Sequence, residues 1–198
     1  DGSIPFKSRI DSVLSWFKLP EEQRPKLVLL YFSEPDHTGH IVGADHQDVI
    51  TIIEEMDALL GYLMNGLKKL KIFENLDIFI VSDHGMTNVS KERLIILEEY
   101  LSQMNDIDIN GIGSHIQIDV KNNRKEYEKT LFEELKTIPH CQYWNKDDIP
   151  DRFHFKNRNS SDYLLLADEG WFITTESAMK ENPFTIKGMH GYDPKYSN

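Results

Sequence analysis

At 198 residues, with 39% hydrophobic and 11% aromatic side chains, the chain is long enough to bury one substantial core. The formal net charge of -11 argues against binding of nucleic-acid polymers or acidic membrane surfaces. No run approaches the roughly 18 apolar residues of a membrane span, and the single Cys141 excludes an internal disulfide.

The first periodic segment lies between Pro5 and Pro20, where Ile10, Val13, Leu14 and Phe17 recur at helical spacing. A charged connector over 21–25 leads into residues 26–32, which are nearly all apolar. Seven such residues are too few for a globular helix and predict a strand buried on both faces of a parallel sheet. Pro35 stops the ladder for want of an N–H, and Asp36, His37 and His40 follow at once. Gly43 and Asp45 mark the start of the next helix. Its stripe of Val49, Ile52, Ile53, Met56, Leu59, Leu60, Leu63, Leu67 and Leu70 steps by three and four. Lys68, Lys69 and Lys71 place positive charge at its carboxyl end.

Residues 78–82 repeat the buried-strand pattern and end in Asp83-His84-Gly85. Strand, helix, strand in this order predicts a right-handed crossover with parallel strands. Both Asp/His clusters then emerge at one sheet edge, the place where open α/β sheets bind ligands.

Residues 91–101 mix apolar and charged side chains without a clean period and are read as a short helix. Ile116, Ile118 and Val120 alternate with polar neighbours, the pattern of a half-buried strand. A helix follows over 126–136, with Tyr127, Leu131, Phe132 and Leu135 on one face. Residues 141–144 and 163–167 are candidate strands, and 171–174 is expected to pair with 163–167. Together these predict a small α+β subdomain over 111–176. The third Asp/His cluster, His190-Gly191-Tyr192-Asp193, comes last.

Imidazole and carboxylate are suitable ligands for a transition metal. Asp36 and His40, four apart, reach one ion if the segment turns; the competing reading has Asp36 capping a helix and His40 on the surface. Three such clusters, two of them at predicted strand ends, weigh towards the metal. Glu34 steadies a ligand or stands solvated. His46, His115, His140 and His154 have no partners at ligand spacing and read as ordinary histidines. Asn88-Val89-Ser90 and Asn159-Ser160-Ser161 fit the glycosylation acceptor pattern and lean towards the secretory route.

Glu34-Pro35-Asp36-His37-Thr38-Gly39-His40, Ser82-Asp83-His84-Gly85-Met86 and His190-Gly191-Tyr192-Asp193 resemble the metal motifs of the ecto-nucleotide pyrophosphatase/phosphodiesterases, a family of the alkaline phosphatase superfamily. Their order and separations are similar too. So are Ala167-Asp168-Glu169-Gly170-Trp171, Ile149-Pro150-Asp151-Arg152-Phe153 and the opening from Gly2 to Pro25, so the resemblance covers essentially the whole chain. It implies an α/β fold with a mostly parallel central sheet flanked by helices. It also implies that Asp36, His40 and His190 hold one zinc ion and that Asp83 with His84 helps to hold a second. Two such ions about 4 Å apart clamp the attacking and leaving oxygens of an in-line displacement at phosphorus.

The family's nucleophile is a threonine upstream of the region that this chain resembles. Thr38 lies in the wrong motif to replace it, so no catalytic nucleophile is assigned here. Residues 1–198 are therefore read as a partial phosphodiesterase catalytic domain without its N-terminal part and C-terminal end. The implied activity is metal-dependent hydrolysis of phosphodiester or pyrophosphate bonds in nucleotides. It is expected outside the cell or at its surface, with any membrane anchor outside this chain. The alternatives are a choline-phosphodiester or lysophospholipid hydrolase of the same family, a phosphomutase or sulfatase of the superfamily, and a non-catalytic metal-binding ectodomain.

Overall fold

Residues 3–121 and 126–196 are described in a computed structural model of the chain; Asp1 and Gly2, at the family-like opening, lie outside them. The chain divides into two units, Asp1–Asp83 and His84–Asn198.

The first unit is helical, with α1 (Phe6–Trp16), α2 (Asp36–Val42) and α3 (Gln47–Lys69). Ile10 and Val13 are the buried positions of the expected first helix. Its neighbour Leu14 meets α3 at Gly66, where a Cβ would come within 2.5 Å of the leucine Cδ1, so a side chain there would push the leucine aside. Tyr62 Oη and Lys7 Nζ donate to the two oxygens of Asp11 at 2.6 and 3.0 Å, joining the same helices on the exposed side. The long apolar stripe does form α3. Its cap differs from expectation: His46 Nδ1 accepts from the Asp48 N–H at 3.2 Å, so His46 rather than Asp45 closes the first turn.

Neither 26–32 nor 78–82 joins a ladder. Leu29 is 88% exposed and Val81 87%. An apolar run becomes a strand only where a neighbouring strand takes its N–H and C=O groups in register; among the described residues no strand pairs with either run, and the Tyr31 carbonyl accepts instead from the Arg9 guanidinium at 2.8 Å. The strand-helix-strand crossover expected across this unit is corrected on that ground.

The second unit carries the sheets. Four strands, β3 (Ile107–Asn110), β4 (His115–Val120), β5 (Cys141–Asn145) and β6 (Tyr163–Ala167), pair antiparallel in the order β3-β4-β6-β5. β4 alternates as expected, with Ile116, Ile118 and Val120 buried, and the apolar run of β6 is buried throughout. Leu131 and Leu135 of α4 (Glu128–Leu135) complete this core.

Two expectations fail here. Residues 91–101 contain a strand, β2 (Leu94–Ile96), and one 3-10 turn in place of a helix. The segment β7 (Phe172–Thr174) pairs parallel with β2, not with β6. Both follow from one arrangement. Gly170 takes φ +80, its carbonyl accepts from Arg93 Nε at 3.0 Å, and Phe172 N–H donates to the Arg93 carbonyl at 2.9 Å. The chain is thus drawn onto β2, burying Ile95 and Ile173 together in the core. Ladder formation with a distant partner outweighs the weak local preference. Helices with mixed sheets give the expected α/β class. A short antiparallel pair, β1 (Thr87–Asn88) with β8 (Gly188–Met189), completes the unit.

Candidate metal centre

In the first unit α2 begins at Asp36, and the helical turn sets Asp36 and His40 on one face. Asp36 Oδ1 lies 3.4 Å from His40 Nε2, with both side chains part-exposed. The N–H of Thr38 donates to Glu34 Oε2 at 3.0 Å. A carboxylate serving the amino end of this helix is therefore that of Glu34. Asp83, also exposed, is the last residue of this unit.

In the second unit β1 and β8 place His84 and His190 together. Their rings stack with centroids 3.5 Å apart and planes 9° from parallel. His84 Nδ1 lies 2.9 Å from the Gly85 carbonyl oxygen. That oxygen can only accept, so Nδ1 carries the proton and the neutral ring offers Nε2 as its donor atom to an ion.

The turn bearing His190 is held at several points. Gly191 adopts φ +88, and a Cβ there would come within 2.8 Å of Ser114 Oγ. Tyr192 Oη donates to the Trp171 carbonyl at 2.7 Å. Asp193, 4% exposed, accepts from both terminal nitrogens of Arg152 at 2.7 and 2.5 Å. Burial alone pushes the Asp193 carboxyl up, but hydrogen bonds from Arg152 and the Lys195 N–H hold it below the usual carboxylate value.

Asp36, His40 and His190 each offer one ligand atom from a part-exposed side chain. A carboxylate with imidazoles is a donor set that zinc accepts. Three of the remaining histidines make other contacts. His46 caps α3, His115 Nδ1 lies 3.1 Å from Ser114 Oγ, and His140 stacks on Trp171 at 3.8 Å. Burial lowers the His115 pKa and favours its neutral ring. Cys141 is no nucleophile: burial pushes its thiol up to about 12. Sequence reasoning gave Arg152 and Ser114 no role. Arg152 stood in a family-like stretch, but its pairing with Asp193, 41 residues away, follows from no spacing rule.

The model of the family described as type I phosphodiesterase / nucleotide pyrophosphatase matches residues 1–193. Ectonucleotide pyrophosphatase/phosphodiesterase family member 5 of Homo sapiens is 35% identical, with 96% of this chain covering 38% of that protein. A bis(5'-adenosyl)-triphosphatase of Xenopus laevis is 32% identical, with 96% of this chain covering 40% of it. Among solved structures, an inactive threonine-to-alanine variant of the murine family member 5, in complex with AMP, superposes with a TM-score of 0.86 at 32% identity. That match covers 98% of this chain and 50% of the murine one. The chain thus spans about 40% of the length of these curated relatives.

Proposed function

Because this chain belongs to the type I phosphodiesterase / nucleotide pyrophosphatase family, we propose that it supplies the metal-holding part of a hydrolase that cleaves phosphodiester or pyrophosphate bonds in nucleotides. The match over residues 1–193, which takes in every Asp/His cluster, carries this reading. Asp36, His40 and His190 hold one zinc ion, and Asp83 with His84 contributes to a second. When bound, the two ions supply positive charge to the attacking and leaving oxygens of a displacement at phosphorus.

The chain's own residues prepare that site. Glu34 serves the first turn of α2, which leaves Asp36 and His40 to face an ion one helical turn apart. The Gly85 carbonyl fixes the His84 tautomer, and the chain's own hydrogen bonds pin the turn at 190–193. A preorganised donor set lowers the cost of assembling the site. A nucleotide substrate is supported by the AMP complex of the murine relative, and a site outside the cell by the ectonucleotide name of the human one.

Metal analysis joined to a substrate panel tests the reading. The natural protein containing these 198 residues should bind zinc, lose it on His40→Ala, and hydrolyse a nucleotide phosphodiester in preference to a choline phosphodiester. Zinc retained in full by Asp36→Ala, His40→Ala and His190→Ala would sink the ligand assignment. Choline-ester turnover without nucleotide turnover would sink the substrate class.

A further inference from the structure

His190 leaves a two-residue strand, β8, whose ladder partner among the described residues is the equally short β1. So little pairing cannot by itself fix the direction of a side chain beyond its end, so the residues that follow His190 help to set its orientation. Gly191 and Tyr192 are set by fit and by one neutral hydrogen bond. Asp193 is different in kind: it is a buried carboxylate gripped by both terminal nitrogens of one guanidinium. A bidentate fork of this type fixes angle as well as distance.

Arg152 is itself braced. It lies in a 3-10 turn, Asp151–Phe153, entered through Pro150, with its guanidinium 4.1 Å from the centre of the Phe153 ring. Ile149, just before that turn, is fully buried.

We propose that Arg152 is a positioning residue for His190: through Asp193 it sets the turn 190–193, keeps the imidazole stacked on His84, and so raises the affinity of the site for its metal without touching it. The proposal rests on the reading of His190 as a ligand. Lysine in place of Arg152 keeps the charge but loses the fork, so it should restore only part of the effect.

The test is a double-mutant cycle on zinc affinity, measured by competition with a chromophoric chelator, together with amide hydrogen exchange of the metal-free protein. Arg152→Gln should weaken zinc binding about 10- to 100-fold, and Arg152→Lys by an intermediate factor. In a His190→Ala background Arg152→Gln should have almost no further effect on zinc, while its loss of melting temperature stays the same in both backgrounds. Without metal, Arg152→Gln should speed exchange over 188–193 and leave 107–120 unchanged. Equal zinc losses in both backgrounds would show a merely structural role and overturn the proposal, as would unchanged exchange over 188–193. If His190→Ala itself leaves zinc affinity intact, the ligand reading fails, and the exchange arm alone then decides whether Arg152 orders the turn.

Discussion

The imidazoles of His84 and His190 lie face to face, 3.5 Å between centroids. The β1–β8 pair, with Thr87 opposite Met189, brings the two segments side by side but ends before either ring. Two histidines 106 positions apart thus meet through a ladder of two residue pairs, which makes every constraint on the turn after β8 count.

The tightest constraint predicts the first outcome. Gly191 has φ +88, and an added Cβ would press within 2.8 Å of the buried Ser114 hydroxyl. Gly191→Ala therefore meets both backbone strain and a clash, for a combined cost of about 1–3 kcal/mol. Urea denaturation should show that loss, and zinc affinity should fall with it. A neutral alanine at both readouts would mean that the turn relaxes freely.

A second prediction concerns the exposed apolar runs. Leu29, Phe79 and Val81 stand 85–88% exposed, in segments without ladder partners. Such runs associate with one another between molecules. Leu29→Lys with Val81→Lys should raise the monomeric fraction at a given concentration, seen by light scattering, and leave the melting temperature within a few degrees. A large fall in melting temperature would show that these side chains are buried in solution.

These segments also mark what the sequence could and could not tell. Periodicity reports which residues need cover, so the stripe of α3 and the alternation of Ile116, Ile118 and Val120 were legible. It does not report what supplies the cover. Residues 26–32 have the composition of a central strand but no paired strand among the described residues, while 94–96 have a weak pattern and gain a ladder from β7, almost 80 positions away. Asp36, His40, Asp83, His84 and His190 could be proposed as donors from the sequence because they sit in compact motifs. The grip of Arg152 on Asp193 and the seat of Gly191 on Ser114 were not, since only the folded chain brings them together.

The third prediction is the pH dependence of that grip. The Asp193 carboxyl is held below its ordinary value of 3.8 in the folded chain. A lowered folded pKa gives stability that is fully present above the unfolded value and lost as pH falls through the folded one. Stability should therefore drop below about pH 4 in the parent and less steeply in Asp193→Asn, which has no charge there to lose. Urea midpoints at pH 7, 4 and 3 measure the two slopes. Parallel slopes would remove Asp193 from the acid transition.

The last prediction separates holding a metal from using it. Three donors with one position open are the pattern of a catalytic zinc site, whereas two donors hold an ion weakly. The 198-residue chain should thus bind about one equivalent of zinc tightly through Asp36, His40 and His190, and a second only at much higher zinc concentration. Asp83→Ala should abolish the weak step alone. Asp45→Ala should change neither step, because His46 rather than Asp45 caps α3. Turnover is another matter. The Cys141 thiol stays protonated at neutral pH, and Thr38 sits in the first turn of α2, where its N–H serves Glu34. Neither side chain is proposed as the nucleophile, and the purified 198 residues should show no nucleotide phosphodiesterase activity above background even when loaded with zinc. An ordinary enzymatic rate from this chain, roughly 1–10³ per second, would require another nucleophile, with metal-bound water the first candidate and the Thr38 hydroxyl the second. Substitution of Thr38 by alanine would then be the first experiment, with its hydroxyl, not its backbone, under test.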